Sequence, residues 1–411
     1  MINKKLKVGN VPNLRFPEFT EEWKTKKLGE VATNVMYGMN AAATNYDGEN
    51  QYIRITDIDE QTRLFCPNPL SSPDGELDNK YLLHKGDILF ARTGASVGKS
   101  YLYNEKDGKI YFAGFLIRLN VGDEDPYFIF SQTLTEKYQR WVLTMSMRSG
   151  QPGINAEEYK LLPIFIPSIQ EQDKISSFLL LIDERIQTQN KIIEELKLLK
   201  NTISKKIFLR QLRFKDNKGI DFQNWETKKL KDVCEIVGGG TPETNKSEYW
   251  NGNIQWFTPT EIKSNFISKS ERTISHLGLK NSSAKLLPKG TILLTTRATI
   301  GEVSITLEEC TTNQGFQSLI VKEDCNNIFI FNWLKVNKYE LEKRASGSTF
   351  AEISKSEIEK IQINIPNIEE QAKIANSLSS IDLKIDTEVK FLQKLKEQKK
   401  YVLENLFIEK D

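Results

Sequence analysis

One nine-residue motif occurs twice in this sequence, as Pro167-Ser168-Ile169-Gln170-Glu171-Gln172-Asp173-Lys174-Ile175 and again as Pro366-Asn367-Ile368-Glu369-Glu370-Gln371-Ala372-Lys373-Ile374. The two copies lie 199 residues apart. An earlier motif, Trp23-Lys24-Thr25-Lys26-Lys27-Leu28, returns at a spacing of 202 as Trp225-Glu226-Thr227-Lys228-Lys229-Leu230. Solenoid and propeller repeats have much shorter periods, of roughly 20 to 50 residues. The chain is therefore a duplicated unit of about 200 residues rather than a repeat array.

Each unit has a globular part followed by a long helical part. The globular part alternates short apolar runs, such as 86–90 and 111–117, with Gly, Pro and Asn, a pattern typical of short strands and turns. Residues 128–143 are predicted to be helical. The sequence thus predicts an α+β fold, with two pseudo-repeated mixed α/β domains joined by two long helices. The predicted segments are a first domain (1–168), a central helix (169–213), a second domain (214–367) and a C-terminal helix (368–411).

Both helical parts have the pattern of a coiled coil. Neither 169–212 nor 368–408 contains Pro or Gly, and apolar residues recur at three- and four-residue intervals over about five heptads. At 1.5 Å per residue, a helix of this length extends about 60 Å. The alternative is two helices that each cover a separate core. The apolar positions are Ile175, Leu179, Ile182, Ile186, Ile193, Leu196, Ile203 and Ile207, and then Ile374, Leu378, Ile381, Ile385, Leu392, Leu395, Val402 and Leu406.

Four polar residues interrupt this apolar seam at heptad core positions. They are Gln189 and Lys200 in the first helix and Glu388 and Lys399 in the second. A parallel pairing in equal register would place Lys200 beside Lys399, which is costly for two like charges in a core layer. An antiparallel pairing would place Lys200 opposite Glu388 and Gln189 opposite Lys399. We therefore predict an antiparallel two-helix spacer in this register.

The composition is that of an ordinary globular protein. Of 411 residues, 39% are hydrophobic and 27% charged, and the net charge of +2 neither indicates nor excludes nucleic-acid binding. No apolar run approaches the ~18 residues that cross a bilayer, and no signal-peptide core is present. The four cysteines are widely spaced, as expected for reduced cytosolic thiols rather than zinc ligands. We expect a cytoplasmic protein that does not associate with membranes.

The sequence contains no recognisable catalytic site. The glycine run at 238–242 lacks the Gly-Lys-[Ser/Thr] ending of a phosphate loop, and Pro242 removes a backbone N–H that such a loop would use. The Asn-Pro-Pro-aromatic motif that would hold a flipped adenine is absent. His84 and His276 are the two histidines, and neither is near a nucleophile signature. We expect no catalytic residue, no metal and no cofactor bound by this chain.

Polar residues at matched places in the two globular parts form a candidate binding site. Residues 92–99 and 296–301 place an arginine beside Gly, Ser and Thr just after a strand. Arginine forms paired hydrogen bonds with guanine or phosphate, and hydroxyl groups bind phosphate. Glycine lets the protein backbone approach the nucleic acid closely. The alternative is that these residues only cap helices and turns. The candidates in the first copy are Tyr37, Asn40, Arg92, Thr93, Lys99, Arg148, Ser149 and Gln151. Those in the second copy are Thr241, Lys246, Arg297, Thr299, Gln314, Arg344, Ser346, Ser348 and Thr349.

An ordered set of short motifs in the second copy resembles a known family. They include Gly240-Thr241-Pro242, Glu248-Tyr249-Trp250-Asn251-Gly252-Asn253-Ile254, Leu287-Pro288-Lys289-Gly290-Thr291, Thr312-Asn313-Gln314-Gly315-Phe316 and Ala345-Ser346-Gly347-Ser348-Thr349. With the paired Pro-x-Ile-x-Glu-Gln helix starts, they resemble the target-recognition domain of the specificity (S) subunit of type I restriction–modification enzymes. The first copy departs from this pattern, with Phe112-Ala113-Gly114-Phe115 for Asn-Gln-Gly-Phe and Gly38-Met39-Asn40 for Gly-Thr-Pro.

The resemblance implies a non-catalytic scaffold that recognises double-stranded DNA at the nucleoid. Each globular domain would recognise one half of a bipartite site, and the coiled coil would set the spacing and dock two methyltransferase (modification) subunits. S-adenosylmethionine would be bound by those subunits, and ATP and Mg²⁺ by motor–nuclease (restriction) subunits. Two other functions stay open. The chain could be a coiled-coil adaptor without a DNA role, or part of a fused methyltransferase–nuclease, against which the missing catalytic motifs argue.

Overall fold

The fold consists of two compact units that each combine one globular domain with parts of both long helices. The computed structural model describes residues 9–147, 151–297, 299–345 and 352–409. One unit comprises Met1–Gln189 and Phe391–Asp411, and the other comprises Asn190–Lys390. The C-terminal end of the chain therefore belongs to the same unit as the first globular domain.

The first unit is built around an antiparallel sheet in the strand order β2-β9-β6-β7. Around it, β1 pairs antiparallel with β10, β3 pairs antiparallel with β5, and β4 pairs parallel with β8. The strands are β1 (Lys24–Lys27), β2 (Ala32–Tyr37), β3 (Ala43–Asn45), β4 (Gln51–Ile53), β5 (Ser71–Pro73), β6 (Ile88–Ala91), β7 (Ser100–Leu102), β8 (Ile110–Phe112), β9 (Leu116–Val121) and β10 (Pro163–Ile166). The short helices are α1 (Leu28–Val31), α2 (Pro126–Gln132), α3 (Glu136–Ser146) and α4 (Ala156–Lys160).

The helical stretch predicted at 128–143 is two helices, α2 and α3. The break occurs at threonines whose side chains bond to the backbone. The Thr133 hydroxyl donates to the Phe130 carbonyl at 2.6 Å, and the Thr135 hydroxyl accepts from the Tyr138 N–H as the N-cap of α3. Such local bonds compete with helix continuation. The hydrophobic run Phe128-Ile129-Phe130 of α2 is buried in the core of this unit.

The second unit follows the same plan, with a larger sheet in the order β12-β19-β16-β17-β14 and a smaller one in the order β15-β13-β18. Strands β11 and β20 pair antiparallel, as β1 and β10 do. The strands are β11 (Glu226–Lys229), β12 (Cys234–Gly238), β13 (Trp250–Phe257), β14 (Phe266–Ile267), β15 (Arg272–Ile274), β16 (Ile292–Leu294), β17 (Val303–Thr306), β18 (Cys310–Thr312), β19 (Gln317–Val321) and β20 (Gln362–Ile365). The short helices are α6 (Leu230–Val233), α7 (His276–Lys280), α8 (Asn327–Val336), α9 (Lys338–Lys343) and α10 (Lys355–Glu359).

The two long helices pack antiparallel, as predicted. They are α5 (Ile169–Phe208) and α11 (Ile368–Leu406), and each begins at the predicted residue. In the first unit, Ile175 and Leu179 near the start of α5 share a core with Leu406 at the end of α11. In the second unit, Ile207 near the end of α5 shares a core with Ile374 near the start of α11. The start of each helix therefore lies beside the end of the other.

Both core lysines of these helices form ion pairs that the heptad pattern did not predict. Lys200 forms an ion pair with Asp382 at 2.6 Å, and Lys399 forms one with Asp183 at 2.5 Å. Asp382 lies six residues before the expected partner, Glu388, which pairs with Lys384 of its own helix. The prediction considered only the heptad core positions, whereas both aspartates flank the core, immediately after Ile182 and Ile381. A half-buried lysine reaches such a flanking carboxylate and keeps its charge paired.

The repeated glutamate of each helix-start motif is buried and binds an arginine and a tryptophan. In the first unit, Glu171 accepts from the Arg15 guanidinium at 2.7 and 2.8 Å and from the Trp23 indole N–H at 3.2 Å. In the second unit, Glu370 accepts from Arg213 at 3.2 and 2.7 Å and from the Trp225 indole at 3.1 Å. Both glutamates are at most 1% exposed. A buried carboxylate is tolerated here because both of its oxygens accept hydrogen bonds from the guanidinium and indole N–H groups.

The neighbouring glutamine attaches the helix start to the globular domain. The Gln172 side chain donates to the Pro167 carbonyl at 3.2 Å and accepts from the Asp125 N–H, just before α2, at 3.0 Å. The Gln371 side chain makes the same two bonds, with Pro366 at 2.9 Å and Asn326 at 2.8 Å. Buried backbone groups beside the two prolines are thereby satisfied. The Pro-x-Ile-x-Glu-Gln motif is thus a structural joint between strand, helix and domain.

We predict that Glu370→Gln lowers the free energy of unfolding of the second unit by about 2–4 kcal/mol, because the Arg213 guanidinium and the Trp225 indole lose their buried, charged acceptor. Urea titration followed by tryptophan fluorescence measures this change. Asp221→Asn is the matched control, since its ion pair with Lys215 is exposed on both sides. The control should change the unfolding free energy by less than about 0.5 kcal/mol. Equal effects of the two variants would contradict a central role for Glu370.

Candidate nucleic-acid interface

An arginine flanked by exposed aromatic rings marks the candidate site of the first unit. Arg92 follows β6, and its guanidinium carbon lies 4.9 Å from the Tyr37 ring centroid and 5.9 Å from that of Phe115. Tyr37 is 40% exposed and Phe115 59% exposed. The Nε atom of Arg92 is buried without a hydrogen-bond partner, and no described carboxylate pairs with this side chain. Contact with the rings orients the guanidinium while leaving donors for an external acceptor.

Tyr37, Asn40, Arg92 and Phe115 line one open cleft of about 580 Å³. The structure therefore brings together three of the predicted residues and adds Phe115. The Tyr37 hydroxyl is held in place because it accepts from the Ala156 N–H at 3.1 Å. Beneath the cleft, the Tyr52 hydroxyl donates to the carbonyl of residue 39 at 2.9 Å. The exposed groups thus stand on a rigid buried base.

The other first-unit candidates have different surroundings. Thr93 pairs with Gly153 in an isolated antiparallel bridge, and Gln151 is exposed beside Gly94. Lys99 is buried, because its amino group donates to the Ile58 carbonyl at 3.0 Å and pairs with Glu60 at 2.8 Å. It does not line the cleft and is therefore not part of the candidate interface. Arg148 and Ser149 lie outside the described residues.

In the second unit, Thr241 and Gln314 come together. The Thr241 hydroxyl donates to the Gln314 side-chain oxygen at 2.5 Å, and Gln314 is exposed. Below them, the Trp256 indole donates to the Gly240 carbonyl at 2.9 Å, as Tyr52 does for residue 39. This polar pair therefore stands on the second copy of the same buried support.

The cationic candidates of the second unit are paired with carboxylates. Arg297 pairs with Glu352 at 2.9 Å, and Arg344 pairs with Glu357 at 3.6 Å. Lys246 lies 3.4 Å from Glu243, and the Tyr249 hydroxyl and then Glu243 hold the pKa of Lys246 above its ordinary value. Thr299 is exposed in the turn after Arg297. Ser346, Ser348 and Thr349 lie outside the described residues.

Hydrogen bonding corrects the residue-by-residue match between the two copies. The Met39 and Gly240 N–H groups both donate to the last residue of the equivalent strand, Phe112 and Thr312, at 2.8 Å. Asn40 is therefore equivalent to Thr241, one residue away from the alignment with Gly-Thr-Pro. Phe115 is likewise not equivalent to Phe316, which is fully buried. The β2–β9 pair has a register shift between Ala32 and Asn34 that the β12–β19 pair lacks, and sequence spacing alone does not reveal such a shift.

A second arginine–aromatic cluster was missed by sequence reasoning. The Arg272 guanidinium lies 3.7 Å from the Trp250 ring centroid and 5.5 Å from that of Trp256. The two indoles are edge-to-face at 5.0 Å, and Trp250 donates to the Glu243 carbonyl at 3.1 Å. The cluster therefore buttresses the loop that carries Thr241. The β13–β15 register, with Trp256 opposite Arg272, brings these residues together, and no local motif predicts that pairing.

Reactive groups are not evident in the described part of the chain. Burial raises the pKa of Cys234 to about 12 and those of Cys310 and Cys325 to about 11, so these thiols are protonated at neutral pH. Within the described residues, no group of three or more His, Cys, Asp or Glu side chains could hold a metal ion. No described helix is long and apolar enough to cross a membrane.

Comparison with known proteins gives the family. The model of the type I restriction modification DNA specificity domain matches residues 20–198 and 223–397. The chain belongs to this family. Both globular domains are covered, so the duplication seen in the sequence is a duplication of a DNA specificity domain.

Individual relatives agree with this assignment. The MjaIX specificity subunit of Methanocaldococcus jannaschii is 38% identical over 192 residues, which is 46% of this chain and 44% of the relative. The chain thus spans less than half of that relative. The putative MjaX specificity subunit of the same organism is 26% identical over 417 residues, 97% of this chain and 94% of the relative. The crystal structure of an S subunit from M. genitalium has a similar fold, with a TM-score of 0.59 at 16% identity, over 98% of this chain and 100% of that one.

Proposed function

We propose that this chain is the sequence-recognising subunit of a type I restriction–modification complex, with each specificity domain recognising one half of a bipartite site on double-stranded DNA. The observation that carries the proposal is that the family's DNA specificity domain occurs twice, on the two copies of one structural frame. Two copies of a recognition domain suit a DNA site with two separate halves, as paired recognition elements do in other DNA-binding proteins.

The surface chemistry supports recognition rather than catalysis. The Arg92 cleft offers a guanidinium for guanine, an amide for adenine at Asn40, and apolar rings for thymine methyl groups. In the second domain, Thr241 and Gln314 offer hydroxyl and amide groups at the equivalent place. These are groups that discriminate base edges in the major groove. We therefore infer that the chain itself is not an enzyme.

The chemistry of the complex would come from other subunits. We propose that two methyltransferase subunits dock on the coiled coil and bind S-adenosylmethionine, and that motor–nuclease subunits use ATP and Mg²⁺. The 40-residue α5 and 39-residue α11 support a spacer role, because a continuous helix is a stiff element of defined length. The complex would act on DNA in the prokaryotic cytoplasm, at the nucleoid.

The domain assignment is tested by exchanging residues 214–367 for the corresponding segment of another specificity subunit. We expect one half of the methylated sequence to change and the other half to stay the same. Methylation-sensitive sequencing of DNA modified by the assembled enzyme measures both halves together. If both halves stayed unchanged, the proposed recognition role would be wrong. If DNA bound equally well without this chain, the adaptor function would be favoured.

Arg92→Gln tests the first domain at a single residue. We expect discrimination at one base pair of the first half-site to fall by about 1–3 kcal/mol, roughly fivefold to 150-fold, because the paired hydrogen bonds of the guanidinium are lost. Competition binding with duplexes substituted at each position measures the loss. Lys109→Gln is the control, since this exposed lysine is already paired with Glu49. A uniform loss over all positions would instead assign Arg92 to a phosphate.

A further inference from the structure

Two segments of equal length occupy equivalent places in the two specificity domains but differ in charge. Residues 58–85 and 262–289 both begin at a buried isoleucine and include a leucine whose N–H bonds to the neighbouring strand, Leu83 to Ile110 and Leu287 to Cys310. Each segment ends before a glycine with positive φ, Gly86 or Gly290. The frame around the two segments is therefore the same.

The second segment is strongly basic and the first is acidic. Residues 262–289 contain six Lys or Arg against one acidic residue, Glu271, a net charge of +5. Residues 58–85 contain three Lys or Arg against five Asp or Glu, a net charge of −2. The whole chain carries only +2. The basic residues of the second segment are Lys263, Lys269, Arg272, Lys280, Lys285 and Lys289.

The cations of the second segment are available to an external anion. All six are exposed, and none forms an ion pair with a residue in the described ranges. In the first segment two of the three cations have carboxylate partners, because Lys80 pairs with Asp78 at 2.7 Å and Arg63 lies 3.9 Å from Glu60. Unpaired cations repel one another, so six of them in one segment with a single acidic residue are poorly explained by stability.

Arg272 is held in a fixed orientation within this basic segment. It lies directly opposite Trp256 on the neighbouring strand, and its guanidinium stacks 3.7 Å from the Trp250 ring centroid. Trp250 is itself 8% exposed and anchored through its indole N–H to Glu243. A stacked guanidinium keeps its N–H edges free in a defined plane, which suits the two oxygens of a phosphate.

We propose that residues 262–289 hold the phosphodiester backbone of DNA, so that the second specificity domain supplies most of the charge-dependent affinity. The first domain, with its acidic segment, then contributes mainly base contacts from the Arg92 cleft. This inference rests on the proposed function. The two domains then contribute differently although they share a fold. The second domain binds the DNA backbone through charge, and the first domain discriminates between base pairs.

The test compares the salt dependence of DNA binding. The full chain, assembled with methyltransferase subunits, is titrated onto a labelled duplex of mixed sequence at several salt concentrations. Replacing Lys263, Lys269, Arg272 and Lys280 by Gln should reduce the magnitude of the negative slope of log affinity against log salt by about 3–4, since each phosphate contact contributes about 0.9. The affinity at moderate salt should fall at least tenfold.

The matched control removes the same charge elsewhere. Lys24, Lys27, Lys229 and Lys231 are exposed and lie outside both this segment and the two long helices, and their replacement by Gln should change the affinity less than twofold. An unchanged slope in the segment variant, or an equal loss in the control, would overturn the proposal. Failure of the unmodified complex to bind DNA would instead contradict the proposed function.

Two substitutions of Arg272 separate the contribution of its charge from that of its stacked geometry. Arg272→Lys keeps the charge but loses the stacked plane, and it should retain most of the slope while weakening binding severalfold. Arg272→Gln should reduce the magnitude of this slope by about 1. Circular dichroism and thermal unfolding confirm that both variants are folded. If Arg272→Gln left both slope and affinity unchanged, the role of the Trp250 stack would be purely structural and this assignment would be wrong.

Discussion

A buried carboxylate at the start of each long helix is the interaction on which each unit depends. Glu171 and Glu370 each bind an arginine and a tryptophan that precede the first strand of the same unit, β1 or β11. One side chain thereby joins three parts of the chain that are separated by up to 157 residues. An unpaired carboxylate at this depth would be strongly unfavourable, so the three parts assemble together or not at all.

Around this joint, each unit is closed by the far end of the other long helix. Phe407, after α11, packs against Phe128 at 5.3 Å, and Phe208, at the end of α5, packs against Phe329 at 5.4 Å. Trp23 and Trp225 contact the same two phenylalanines. The duplication therefore extends to the core contacts, and the internal structure of both units has been kept while their surfaces have diverged.

The divergence is concentrated on exposed loops and strand ends. Asn40 and Thr241 occupy one equivalent position, and the exposed Phe115, whose carbonyl accepts from the Arg92 N–H, corresponds to Gly315, whose carbonyl accepts from the Thr296 N–H. These changes leave the core untouched, because they alter side chains that point to solvent on a fixed frame. A DNA specificity domain needs this separation, since a change of recognised sequence must not change the fold.

The sequence by itself determined the duplication, the helix starts and the antiparallel direction of the long helices, because periodicity and charge repulsion act through local spacing. It did not determine the partners of Lys200 and Lys399, because Asp382 and Asp183 lie beside the heptad core rather than in it. Nor did it separate Lys99, which is buried, from Arg92, which faces a cleft. Only the tertiary structure decided which cations are neutralised, because ion pairing depends on distances between residues far apart in the chain.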